Sequence, residues 1–410
     1  MEQINRKNVT KKGKNVKSSK KKKKNRLRKI LRIGILILLI VIVVAIFKLI
    51  FGLFNKDVDK ISLIIGANKI ELKKEILIDS EKNIYLSKDD IAYLYDENIY
   101  YNPTDKTVIT TYNKHVAVLS MDKTTMTVND TVISIEGSLK KDKGTIYLPF
   151  SDMIDVYDFE YNYDEASKVL TVDSTNEEKQ ESIVLKNTKL KEKVGFFGKK
   201  LEKLDKGSKV VVLGTEGKYT KVRTDAGNIG YVKTKKISEP EKIRENLEYE
   251  KISNVEVLSD YNEVNSDYET IAIIDGKTSI VTPKLFNINS TFELKQVITL
   301  DSDKFKNYKT WAENNNVSVC ATVNFDGSMN ELCSSYNTRT CLINNIYTEL
   351  IKNQISIVNI DFENIDDMEG FYRFIIEMTP RYKEAGIKVI VTYKDGMNKE
   401  RLNNIVDYVL

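Results

Sequence analysis

The stretch Ser356-Ile357-Val358-Asn359-Ile360-Asp361-Phe362-Glu363 alternates apolar and polar residues along most of its length. In a β-strand, successive side chains point to opposite faces. Val358, Ile360 and Phe362 then share one face, and Asn359, Asp361 and Glu363 share the other. Asp361 and Glu363 would lie about 6.6 Å apart along the strand, at about 3.3 Å per residue. Two carboxylates that close tend to raise one pKa and keep one proton, which makes a general acid usable near neutral pH. The same three polar side chains could instead form an inward hydrogen-bonded network with no chemistry.

Other residue types narrow the alternatives. The chain has one histidine, His115, and three cysteines, Cys320, Cys333 and Cys341, far from it in sequence. A four-ligand zinc site would need all of them to converge, and a Cys nucleophile has no His nearby. We therefore expect no metal and no cofactor. The odd cysteine count excludes a disulfide-built scaffold. A Cys333–Cys341 bridge is one option, and free thiols are the expectation. Hydrophobic residues make up 41% and charged residues 30% of the 410 positions, which excludes wholesale disorder.

The elements that must position the acidic strand alternate between strand and helix. Apolar strands are expected at Thr270–Ile274, Ser279–Val281, Val317–Val323, Ser356–Glu363 and Ile387–Thr392, with another opening at Ile405–Leu410. Helical spacing marks Asp303–Asn314, Thr338–Asn353 and Met368–Ala385, the last containing Pro380 and stopped by Gly386. Repeated strand-then-helix units imply a parallel sheet on the scale of a (β/α) barrel. Branched apolar residues normally fill a barrel interior, so three inward polar positions ending in Glu363 call for a reason.

That octapeptide resembles the signature of glycoside hydrolase family 18, D-G-x-D-x-D-x-E. Glu363 matches the proton-donating Glu, and Asp361 the Asp that orients the acetamido group of the substrate. Asn359 replaces the deeper Asp, and Ser356-Ile357 replace the leading Asp-Gly. VNIDFEN is similar to the branch of spore-cortex and peptidoglycan N-acetylglucosaminidases, as is Ile280–Ile288, IVTPKLFNI. The resemblance implies substrate-assisted, retaining hydrolysis, in which the N-acetyl oxygen of the sugar is the nucleophile. Glu363 would be general acid and base, Asp361 would orient and stabilise, and Asn359 would support them. A full (β/α)8 barrel needs about 200–250 residues. Residues 268–410 fall short of that and end before the family's Met-x-Tyr-type motif, so a partial, C-terminally incomplete barrel is expected.

Upstream, the chain is asymmetric in charge. Residues 1–32 carry fifteen Lys/Arg and one acid, although the net charge of the whole is only +5. Ile33–Phe54 then runs apolar with the single charge Lys48, long enough to cross a bilayer core of roughly 30 Å. The basic flank puts residues 1–32 in the cytoplasm and residues 55–410 outside. The apolar run exceeds a signal-peptide core and no small-x-small cleavage site follows it. Its contact with the basic run favours anionic lipid headgroups over nucleic acid as the partner of the tail.

Residues 60–173 contain two copies of one pattern at an offset of 62. Ile84/Ile146, Leu86/Leu148, Asp90/Asp152, Tyr95/Tyr157 and Lys106/Lys168 match in register. Each copy reads as strand, short helix, strand, turn, strand, with turns at Asn102-Pro103 and Asp164-Glu165. This α+β repeat is similar to the module named after the N-terminal domain of copper amine oxidases, read here as a spacer or wall-contacting stalk. A polar linker, Ser174–Gln180, leads to residues 182–238, which resemble bacterial SH3 domains: turn at Lys206-Gly207, strand at Val210–Leu213, turn at Gly217-Lys218, strand at Tyr219–Arg223, then Gly230-Tyr231-Val232. That resemblance implies peptidoglycan binding. Residues 239–266 read as an acidic linker to the barrel of 268–410.

The sequence thus describes a multidomain, single-pass membrane protein facing outward on a Gram-positive-type surface or spore. The resemblances imply a glycosidase-like barrel acting on peptidoglycan, cortex or another N-acetylglucosamine glycan, with chitin second. The alternative is a non-catalytic wall-binding or scaffold protein with a degenerate barrel.

Overall fold

A computed structural model describes residues 60–195, 197–247, 249–265, 268 and 276–410. The basic tail, the apolar run Ile33–Phe54 and the expected strand Thr270–Ile274 lie outside the described residues. Among the described residues, no helix is long and apolar enough to cross a membrane.

The repeat is visible as a local twofold. Ile84–Ser87 and Thr145–Pro149 pair antiparallel with Leu86 opposite Leu148, the same position in each copy. Leu77–Ile78 and Lys140–Asp142 flank them symmetrically. In the first copy the Ser87 hydroxyl accepts from the Asp90 amide and caps the helix Lys88–Leu94. The second copy has Pro149 there, with no side-chain acceptor, and only a 3-10 turn, Phe150–Asp152, follows. The expected second helix is absent for that reason. Both hairpin turns form where expected, with Lys106 and Lys168 at φ of 52° and 53°. The copies then diverge. The first continues through His115–Ser120, Thr125–Val128 and Thr131–Ser134 into a five-stranded sheet, whereas Val169–Ser174 of the second pairs in parallel with Ser62–Ile65.

Residues 179–244 form a seven-stranded antiparallel sheet around a small core that includes Val184, Leu190, Val210, Val222 and Val232. Gly207 and Gly217 take the positive φ that its tight turns require. Arg223 ties this unit to the repeat module, donating to Asp173 at 2.6 and 2.7 Å and to the Gly66 carbonyl at 2.6 Å. Both expected linkers contain strands. Lys179–Ile183 pairs with Lys209–Glu216 and with Glu241–Arg244, and Val255–Val257 joins the barrel sheet. Glu241–Arg244 is a charged, exposed edge strand, so its polarity is the mark of an edge rather than of a linker.

In the C-terminal region the strands are β1 (Val255–Val257), β2 (Thr278–Val281), β3 (Lys284–Ile288), β4 (Leu294–Gln296), β5 (Ser318–Phe325), β6 (Ile357–Phe362), β7 (Lys388–Val391) and β8 (Tyr408–Val409). The helices are α1 (Asp303–Asn314), α2 (Met329–Cys333), α3 (Tyr336–Lys352), α4 (Met368–Glu384) and α5 (Lys399–Ile405). The parallel order is β1-β2-β5-β6-β7-β8. β3 carries β2 onward along β5, beyond the break at Thr282-Pro283, where proline removes a ladder donor. Side chains of Ser302, Ser328, Asp367 and Asn398 cap α1, α2, α4 and α5. α4 runs on through Pro380 and ends at Gly386 (φ 75°), with the Ile387 amide bonded back to the Tyr382 carbonyl.

α4 is buried nearly all round, and the repeat module covers its outer side. Arg373 donates to the Asn98 carbonyl at 2.8 Å, with its guanidinium 3.7 Å from the Tyr100 ring centre. Arg339 of α3 forks onto Glu377 at 2.8 and 2.8 Å and reaches the Tyr100 hydroxyl at 3.0 Å. Arg381 pairs with Asp130. The module is therefore docked on the half barrel, and a free spacer does not describe it.

Candidate active site

β6 sits between β5 and β7, with Thr322 beside Asn359 and Asn324 beside Asp361. Its outward residues Val358, Ile360 and Phe362 join the helix-facing core with Leu342, Ile346, Phe371 and Phe374. Its inward residues climb through layers of changing polarity. The lowest is apolar, built of Ile280, Cys320, Ile357 and Ile390. The next is a buried amide–hydroxyl network. Asn359 Nδ2 donates to Thr392 Oγ1 at 2.9 Å and to Thr322 Oγ1 at 3.4 Å, and Thr322 donates to the Thr282 carbonyl at 3.0 Å.

Above it, Asn324 Nδ2 lies 3.2 Å from Asp361 Oδ2, and Lys394 Nζ lies 2.7 Å from Asp361 Oδ1. Asn324 Oδ1 is buried with no hydrogen-bond partner in the structure, and a buried unpaired acceptor is a group that a bound donor would satisfy. Glu363 comes last, exposed, with its amide on the Phe325 carbonyl at 3.0 Å. The loop beyond it is pinned to the loop after β5. Asn364 donates to Asp326, and Asp366 accepts from the Ser328 hydroxyl at 2.7 Å and the Met329 amide at 2.6 Å. The Ser328 hydrogen bond holds the Asp366 carboxyl below its usual range.

The three residues singled out in sequence thus fall on one strand and one face, in three environments. Asn359 is buried and satisfied, Asp361 is half-buried and ion-paired, and Glu363 is open. Lys394 and Asn324 were missed. The inward alternation of β7, Ile390 then Thr392, points to Lys394 if it is continued two residues past the strand. Tyr393 is partly exposed, with its amide on the Leu410 carbonyl.

The cysteines are all free. Cys320 is sealed in the barrel base, where burial pushes its thiol far up. Cys333 donates to the Gly370 carbonyl at 3.0 Å, and burial pushes its thiol up to about 12. Neither has the lowered pKa of a nucleophile.

Comparison with known proteins gives one family match. Residues 64–172 match the model of the copper amine oxidase N-terminal domain. The donors present do not fit copper, because the segment holds one histidine, His115, and no cysteine. Its Nδ1 lies 3.3 Å from the Val156 carbonyl oxygen.

Among solved structures, the chain is similar to the C-terminal domain of a protein described as a chitinase, from Desulfitobacterium hafniense. Identity is 22%, over 39% of this chain and 54% of that one, with a TM-score of 0.32. It is also similar to the GH18 chitinase ChiB of Flavobacterium johnsoniae (15%, 39% and 53%, TM-score 0.29). A third is a protein described as a sporulation-specific glycosylase, from Bacillus subtilis (18%, 31% and 47%, TM-score 0.27). The chain spans about half the length of the solved structures it matches. Likeness at this level carries no chemistry over to this chain. A search of curated proteins found no match.

Proposed function

We propose that the half barrel is the catalytic part of a glycosidase acting on N-acetylhexosamine polymers, with peptidoglycan or cortex first and chitin second. The observation that carries this reading is the polar staircase on β6, which ends in an open Glu363 at the carboxyl end of a parallel strand. Active sites of (β/α) barrels form at that end. In this reading Glu363 protonates the leaving oxygen and then activates water. Asp361 orients the acetamido group, whose oxygen is the nucleophile, and stabilises the cation that forms. Asn359 sets the height of Asp361 by fixing the strand against Thr322 and Thr392. A substrate hydroxyl would supply the donor that Asn324 Oδ1 lacks.

Residues 182–238 are proposed as an SH3-like wall-binding unit. Ile33–Phe54 is proposed as a single-pass anchor with the basic tail in the cytoplasm and the remainder outside, from the apolar length and flanking charge. The test is Glu363→Gln, assayed by release of reducing ends from peptidoglycan. The variant should bind glycan and release none. Equal release by variant and parent would remove Glu363 from the mechanism.

A second reading, a non-catalytic glycan-binding protein, is favoured by the Lys394–Asp361 pair, because an acetamido group would have to share Asp361 with an ammonium. In that case parent and Glu363→Gln bind glycan alike and neither cleaves it.

A further inference from the structure

Away from the barrel mouth, lysines crowd a crevice where the repeat module meets α4 and α5. The crevice has a volume of about 210 Å³, well above the ~10–15 Å³ that one water needs on this measure. Tyr249 stands in its wall with an ammonium against its ring on two counts. Lys383 Nζ is 3.9 Å and Lys388 Nζ 3.8 Å from the ring centre. Lys251 lines the same space.

The one carboxylate in the lining is Asp407, and it is already committed. It accepts from the Tyr249 hydroxyl at 3.0 Å and from the Val389 amide at 2.8 Å. Lys251 is held by the carbonyls of Asn403 and Val406 at 2.7 and 2.9 Å. Lys388 is held by the Glu250 carbonyl and lies 3.9 Å from Asp407. Lys383 meets no carboxylate or carbonyl oxygen among the described residues; its contact is the Tyr249 ring. Burial and the neighbouring Lys114, Lys251 and Lys388 push its pKa down, against the pull of Asp407.

Like charges held together in a partly desolvated recess raise the free energy of the folded state, and a multiply charged anion relieves it. We propose that this crevice is an anion site for a phosphate-class oxyanion, with Lys383 as the free donor and Lys251 as the flanking charge. A phosphate suits it better than a carboxylate. Lysine ammoniums bind phosphate as point charges with no planar fork to satisfy, and one phosphate has oxygens enough for both. Because the module supplies Asn98 and Asn113 to one wall and the barrel supplies Lys383 and Asp407 to the other, an occupied site would tighten the docking of the two. The proposal does not depend on Glu363 or on any glycosidase activity.

The test is calorimetric titration of the full chain with inorganic phosphate, with a poly(glycerol phosphate) oligomer and with succinate, at matched ionic strength. Saturable binding of either phosphate probe, with succinate much weaker, is expected. Tighter binding of the oligomer identifies a wall-type polymer as the source, and binding of inorganic phosphate alone identifies the free ion. Lys383→Gln with Lys251→Gln should weaken binding about tenfold or more. The equal charge change Lys304→Gln with Lys306→Gln, at exposed positions on α1 outside the crevice, should leave it alone. Melting of each double variant checks that it is folded. No saturable heat with either phosphate probe, equal binding of succinate, or equal loss in both double variants would overturn the proposal.

Discussion

Two carboxylate–cation pairs sit on opposite sides of the same half barrel, and they differ in almost everything but charge. Behind the sheet, Glu377 and Arg339 are 1% and 4% exposed, joined by two hydrogen bonds, with further Arg339 donors taken by the Cys333 carbonyl and Tyr100. Burial works against the charge on Arg339, yet Glu377 holds its pKa above the ordinary range. At the mouth, Asp361 and Lys394 are 25% and 34% exposed and share a single contact. The first pair has no capacity left for a ligand. The second, beside an open Glu363 and an unsatisfied Asn324 oxygen, does. Saturation of donors and acceptors, more than residue type, separates structural charge from charge available for binding.

The largest expected effect follows from the rear pair. Glu377→Ala leaves Arg339 buried without its counter-charge, and such a loss typically costs about 3–5 kcal/mol. Urea unfolding should show it as a lower midpoint. Because Arg339 also holds Tyr100, early proteolysis at the module–barrel junction should accompany it. An unchanged midpoint would mean that the rear pair is no more structural than the one at the mouth.

A smaller effect is expected in the repeat module, where carboxylates are saturated by backbone. Asp90 accepts from the amides of Lys73 and Lys74 at 2.6 and 3.1 Å and from the Ser87 hydroxyl at 2.5 Å. In the second copy, Asp152 accepts from the Glu136 and Gly137 amides at 3.3 and 2.8 Å. Asp90→Ala should cost about 1–3 kcal/mol through the orphaned donors. Asp152→Ala, with its longer bonds, should cost less, and the reverse order would break the symmetry argument.

Acid should act on the module through Asp173. Burial pushes its carboxyl up, but Arg223 and Lys179 outweigh burial and hold it below the usual value. A depressed folded pKa adds stability that is present above the unfolded pKa, about 3.9, and is lost as pH falls through the folded value. Asp173→Asn should therefore flatten the acid limb of a melting-temperature profile below about pH 4 while lowering stability at pH 7. A limb of unchanged slope would assign the acid response to other carboxylates.

Much of the half barrel was legible because its local signals agree with its packing. Asp303–Asn314 has the expected bounds because Ser302 caps it and Phe305, Tyr308, Trp311 and Ala312 fall on one buried face. β6 was legible from alternation alone. Val255–Val257 was hidden, since three residues in an acidic stretch carry too little period to register. The docking of the module was hidden for another reason. Glu377 stands in an otherwise apolar run, and such a charge needs a buried partner, but nothing in the local sequence names Arg339, which comes from α3, or Tyr100, which comes from the module. Long-range pairs of this kind leave half a signal at each end. Lys394 was missed because the alternation of β7 was not followed past the end of the strand.

The smallest expected effect is also the sharpest test of the contrast between the two faces. Exposed or half-exposed ion pairs contribute about 0–1 kcal/mol, because water competes for both partners and two side chains lose freedom in forming them. Lys394→Met should therefore move the unfolding midpoint little. Asp361 keeps Asn324 as a donor at 3.2 Å and its side chain is 25% exposed, so the charge is not sealed from water as it is at Glu377. If Lys394→Met destabilises the chain as strongly as Glu377→Ala, the mouth is held as rigidly as the rear, Asp361 is a structural anion, and the polar staircase on β6 is packing rather than a binding surface. If the change is near zero, Asp361 is held loosely enough for an incoming amide to take the place of the ammonium, and its presence beside Glu363 keeps the meaning that the strand geometry gives it.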